Sequence, residues 1–232
     1  MQFHKPDSSS ISLHKIGLKI SCVIDKNSSR GFAFLSFFGK NCCIWLLFLV
    51  ISSLFAEENY DYWKYFQEIE LNTTSGGADV SDDVLDFPVL IRLNPGNFNY
   101  FSKTLAGGAD IRFAKTEGTH LSYEIERWVD NASDVDTAEI WVKLDTVHGN
   151  NSTQKFYMYW GKSGATDSSN GTAVFDTSNG FVGVWHLDED PTGGAGAIKD
   201  ATSNFLDATS VGSMTSDDLV AGMIGNAHDF DG

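Results

Sequence analysis

From Tyr62 onward, apolar and polar residues alternate in twos, and no stretch sustains a period of three to four. Successive side chains of an extended strand point to opposite faces, so this rhythm predicts half-buried strands rather than helices. Six candidates stand out, at 62–71, 87–93, 110–114, 121–128, 138–144 and 155–160. They are separated by runs rich in Gly, Asn, Asp and Ser, which favour turns. The short piece 98–105 can make one helical turn. Strands at this spacing predict an all-β fold, an antiparallel β-sandwich of jelly-roll-like type. With 42% hydrophobic residues, the chain can bury a real core.

Cysteine use divides the chain. Cys22, Cys42 and Cys43 all precede residue 44, so no disulfide framework can staple residues 44–232. The run 44–56 is apolar and about as long as a signal-peptide core. Lys40 precedes it, and Ala56 is followed by Glu57 and Glu58. A basic flank, a short apolar core and a small residue before an acidic start describe an export signal cleaved after Ala56. The alternative is an uncleaved signal anchor, although Lys40 and Asn41 interrupt the longer tract that spanning would need. Residues 1–56 are therefore read as an N-terminal extension with a signal peptide or anchor, and 1–34 are left out of the fold reasoning. The expected location is periplasmic, cell-surface or extracellular, with membrane contact through this apolar segment or through regions outside the sequence.

Past Ala56 the chain holds 10 lysines and arginines against 29 aspartates and glutamates, a net charge of about −19. A field of that sign repels phosphate backbones and argues against nucleic-acid partners. Acidic loops do suit hard cations such as Ca²⁺, so calcium is the one ligand ion considered; no cofactor is otherwise implied.

Residues 57–165 are assigned to the sandwich, 166–180 to a small, polar linker and 181–232 to a second unit. Five ordered motifs in the first unit are Phe87-Pro88-Val89-Leu90-Ile91, Gly108-Ala109-Asp110-Ile111-Arg112-Phe113, the run 121–128 ending Glu126-Arg127-Trp128, Ile140-Trp141-Val142-Lys143-Leu144, and Tyr157-Met158-Tyr159-Trp160-Gly161. Together they resemble the bacterial domain of unknown function 2341, over roughly residues 60–180. Phe181-Val182-Gly183-Val184-Trp185-His186-Leu187 and the later Gly222-Met223-Ile224-Gly225-Asn226-Ala227 resemble the opening of a laminin-G-like (concanavalin A-like) jelly roll. That likeness implies an incomplete second β-sandwich whose remaining strands lie past residue 232. The resemblance to domain 2341 implies an exported prokaryotic protein and supplies no reaction.

One local arrangement could carry binding. Strict alternation puts Ser122, Glu124, Glu126 and Trp128 on one face of strand 121–128, and Glu139, Trp141 and Lys143 on the matching face of 138–144. If these strands pair, Trp128 and Trp141 form an aromatic shelf flanked by Glu124, Glu126 and Glu139. Such a shelf can stack a sugar ring while carboxylates bond its hydroxyls. The plain alternative is that both indoles pack under a loop or a neighbouring domain. Glu124 and Glu126 also fall near glycosidase spacing, but a single pair on one strand does not make a cleft, and no catalytic residue is assigned.

Two acidic loops, 130–136 and 186–190, lack a complete calcium motif and read as solvated turns. Asp200 is expected to fix its own turn through backbone bonds. His120, His148, His186 and His228 are scattered singly, which gives zinc little support. The expected function is an exported binding or scaffold module without catalysis, its partner a polysaccharide or cell-envelope glycan. Alternatives are the exported N-terminal part of a MotA/TolQ/ExbB-type proton-channel protein, and an accessory module of a polysaccharide-degrading enzyme.

Overall fold

The computed structural model describes residues 12–13, 17–25, 58–131 and 134–230. The apolar run 44–56, on which the export signal rests, lies outside them. Among the described residues no helix is long and apolar enough to cross a membrane.

The strands are β1 (Ser12–Leu13), β2 (Gly17–Asp25), β3 (Tyr65–Asn72), β4 (Val84–Leu93), β5 (Arg112–Lys115), β6 (His120–Leu121), β7 (Tyr123–Val129), β8 (Thr137–Val147), β9 (Gln154–Trp160), β10 (Leu219–Ala221) and β11 (Asn226–His228). One sheet runs β1-β2-β3-β9-β5-β6 and the facing sheet β4-β8-β7. The pairings are antiparallel. β1 and β2 come from residues 1–34, the stretch left out of the fold reasoning; β2 lies along the edge of β3.

The core is built by the predicted alternation. Ile69 and Leu71 of β3 and Phe156, Met158 and Trp160 of β9 point inward. They meet Val89, Ile91 and Leu93 of β4, Tyr123 of β7, and Ile140, Val142 and Leu144 of β8. The intervening residues face outward: Glu68 and Glu70 of β3 pair with Lys155 of β9 at 2.8 and 3.8 Å. Burying aliphatic and aromatic side chains this completely contributes roughly 1.5–3 kcal/mol each.

The 98–105 stretch makes a 3-10 turn at Phe101–Lys103, and a second such turn lies at Ala106–Gly108. Phe98 and Phe101 cap the open end of the sandwich. Asp110, 1% exposed, ties this end together. One carboxylate oxygen accepts the Leu105 amide at 2.7 Å and the other the Gly161 amide at 2.6 Å.

After Trp160 the chain forms no further long strand among the described residues. One turn of α-helix, α1 (Gly171–Val174), and 3-10 turns at Thr177–Asn179 and Ser216–Asp218 precede the β10–β11 hairpin, with one isolated bridge between Ile198 and Ala208. Residues 181–187, expected as a strand, form no ladder. Asp200 does hold its turn as expected: its carboxylate accepts the amides of Val184, Thr202 and Leu206 and the Thr202 hydroxyl, at 2.9–3.0 Å.

Candidate functional site

β7 and β8 pair as the alternation predicts at first: Tyr123 faces Val142, Glu124 faces Trp141, and Ile125 faces Ile140. The register then slips between Ile125 and Arg127, so that Arg127 faces Glu139 and Trp128 faces Ala138. The extra residue is Glu126. A bulge of this kind turns every later side chain to the other face.

This overturns the shelf. Trp128 points to the core side, where it packs on Phe101 with ring centroids 5.2 Å apart. Gly108 lies against the same indole: a Cβ there would sit 2.6 Å from the ring. Trp141 stays on the outer face, so the two indoles lie on opposite sides of the sheet. Glu139 is a second correction. It is 7% exposed, and both its oxygens take a fork of hydrogen bonds from Arg127 at 2.8 and 2.9 Å. A carboxylate engaged in that way offers little to a ligand.

Glu124, Glu126 and Trp141 do come together, and they meet a residue not placed in the site from sequence, His186. Its Nε2 is 3.1 Å from Glu124 Oε2, and its Nδ1 is 3.5 Å from Glu126 Oε2. The Trp141 indole N–H donates to the same Glu126 oxygen. The Glu126 side chain is only 3% exposed.

The chain's own 169–187 segment covers this face. Ser169 Oγ accepts the Ile125 amide and the Asn170 amide donates to the Tyr123 carbonyl, both at 2.8 Å, so the edge of β7 is partly paired. The Asn170 side chain caps α1 by accepting the Ala173 amide. Gly171 then approaches so closely that a Cβ would lie 2.4 Å from Glu124 Oε1. Phe175 sets its ring edge-on to Trp141 at 5.9 Å and contacts the Phe181 and His186 rings. Asp176 reaches Lys143 at 3.7 Å. Farther along, Arg92 donates to the Met223 carbonyl at 2.6 Å.

The electrostatics arise from this burial. Burial pushes the Glu126 carboxyl up, against the pull of His186 and Trp141. Burial alone would lower His186, but the Glu124 hydrogen bond and the charges of Glu124, Glu126 and Asp188 outweigh it, and its pKa is raised. The two ring nitrogens face different carboxylates, so no single point is shared by all three as a metal would require. Among the described residues no group of three or more His, Cys, Asp or Glu is placed to hold a metal ion. In the loops considered for calcium, Asp130 accepts from Trp128 and Gly107, and Asp190 from Thr192 and Ser216.

The sequence does carry a signal for the bulge. The apolar residues Tyr123, Ile125 and Trp128 are spaced by two and then by three, which marks one inserted residue. His186 carries no such signal, because its partners lie about sixty residues away in the chain.

Neither a curated protein nor a solved structure is matched by the chain. Residues 107–188, from the turn before β5 to just beyond His186, match the family model of the domain of unknown function DUF2341, and this stretch contains both the β7–β8 face and the segment that covers it.

Proposed function

We propose that the chain is an exported, non-enzymatic scaffold module in which the β-sandwich clamps the segment C-terminal to it. The observation that carries this reading is the cover over β7 and β8: Trp141, Glu124 and Glu126, the residues best suited to hold a sugar, are engaged by Phe175, Gly171 and His186 of the same chain. A sugar site needs its aromatic face and its carboxylates open to solvent. Export is supported by the apolar run 44–56, and the acidic surface disfavours nucleic acid. A laminin-G-like identity for residues 181–232 rests on the motif resemblance and is compatible with the β10–β11 hairpin. Glycan remains the partner class to test.

Two measurements test the reading together. Residues 1–60 fused to alkaline phosphatase should give periplasmic activity, and the whole chain screened on a glycan array should show no retention that depends on Trp141. Retention lost in Trp141→Ala but kept in Trp128→Ala would replace the scaffold by a glycan-binding site. A phosphatase fusion retained in the cytoplasm, and therefore inactive, would remove the export claim.

A further inference from the structure

We propose that Glu124, Glu126 and His186 form a proton-dependent latch that holds the 169–187 segment on the β7–β8 face and releases it as the medium turns alkaline. The proposal rests on the reading of that face as a covered joint. Its basis is the arrangement of donors. His186 presents one ring nitrogen to Glu124 at 3.1 Å and the other to Glu126 at 3.5 Å. A neutral imidazole has a single N–H and can serve only one of two carboxylates; an imidazolium serves both. The cluster therefore closes around one bound proton.

Arg127 of β7 interacts with the Glu126 charge, but its guanidinium is forked onto Glu139, so it does not substitute for that proton. Glu124 and Glu126 face His186 from β7, and Asp188 adds a third negative charge from its own segment. From β8 come the neutral Trp141 N–H, already given to Glu126, and the Lys143 ammonium, which is directed to Asp176 at 3.7 Å. The Phe175 ring packs at 5.5 Å and offers no charge. Loss of the proton leaves two carboxylates crowded into a site where Glu126 is nearly inaccessible, and like charges in a poorly solvated place repel strongly.

The direction of the pH effect is fixed by both groups. The His186 pKa is raised, so its stabilisation is complete below the ordinary imidazole value of about 6.5 and disappears as pH rises through the raised value. Glu126 is also raised and acts in the same sense: the folded state favours its protonated form. The latch is closed in acid and opens on the alkaline side. Opening would free Phe175, Phe181 and the outer face of Trp141, a change from a fixed to a mobile connection between the sandwich and the residues beyond it.

The test is a proton NMR titration of the full chain from pH 5 to 9, tracking the His186 C2–H and the Trp141 indole N–H. The His186 midpoint should lie above that of free imidazole. The Trp141 N–H should be protected below it, and across it should exchange at least tenfold faster than intrinsic base catalysis explains. In Glu124→Gln the midpoint should fall, and in His186→Gln the Trp141 response should be flat. A Trp141 N–H that exchanges freely even at pH 5 would refute the covered joint and the latch with it. A Trp141 N–H protected equally at every pH, or a His186 midpoint at or below the free value, would leave the joint standing and overturn the latch alone. If His186→Gln does not fold, the midpoint shift in Glu124→Gln decides: no shift overturns the proposal.

Discussion

Replacing Gly108 by alanine tests the bulge in β7 from the far side of the sheet. Gly108 has φ +71°, and a Cβ there would lie 2.6, 2.8 and 2.9 Å from three carbons of the Trp128 ring. Real Cβ atoms do not approach so closely, so the indole must move within a packed end of the core. The left-handed backbone costs alanine about 1–2 kcal/mol, and overpacking adds about 1–3 kcal/mol. The expected loss is thus about 2–5 kcal/mol. Gly107 is the internal control. It has φ +67° in the same turn, with nothing within 4 Å of a Cβ, so Gly107→Ala should lose only the backbone part, about 1–2 kcal/mol. Denaturant unfolding of both variants measures the difference. In a Trp128→Ala background, Gly108→Ala should fall to the Gly107 level. Equal losses for Gly107→Ala and Gly108→Ala in the otherwise unchanged chain would mean that Trp128 does not lie on the core side, and would restore the shared aromatic face that strict alternation predicts.

Asp110→Ala leaves the half-buried Leu105 and Gly161 amides without their acceptor; a loss of about 2–4 kcal/mol in denaturant unfolding is expected, and a loss under about 1 kcal/mol would show that this end of the sandwich is not held there. Asp200→Ala should strip protection from the Val184 and Leu206 amides in hydrogen exchange, with local destabilisation of about 2–4 kcal/mol. Burial alone would raise the Asp200 pKa, but its hydrogen bonds hold it down at about 2. Its contribution is present above the ordinary value of about 3.9 and is lost as pH falls through about 2. Those two amides should therefore lose protection in that window, and protection unchanged down to about pH 2 would count against the Asp200 turn.

The strands were legible in the sequence because alternation of Ile69, Leu71, Ile140, Val142, Phe156 and Met158 is a local property, and burial of one face enforces it. The six predicted spans coincide with β3, β4, β5, β6 with β7, β8 and β9, shifted by a few residues at their ends. The site was only half legible. Glu124, Glu126 and Trp141 fall together because Glu124 precedes the bulge, Glu126 occupies it, and Trp141 pairs with Glu124 before the slip. Trp128 departs from the expected face because a period of two does not survive Glu126, and one unpaired residue reverses every later position of β7; Glu139 keeps its face, but the slip sets Arg127 opposite it and ties up its carboxylate. Residues 181–187 carry an apolar pattern without forming a ladder, because strand pairing is set by neighbours rather than by the segment itself. His186 shows the same limit: its meaning comes from two carboxylates on β7.

The covered face is tested most directly by a double-mutant cycle between Trp141 on β8 and Phe175 on the covering segment. Their rings meet edge-on at 5.9 Å, an aromatic contact of a kind that couples by about 0.5–1.5 kcal/mol. Unfolding free energies of Trp141→Ala, Phe175→Ala and the double variant give that coupling independently of what each residue contributes elsewhere. A coupling of about 1 kcal/mol is predicted. Strict additivity of the two substitutions would mean that residues 169–187 do not lie over β7 and β8, and would contradict the account.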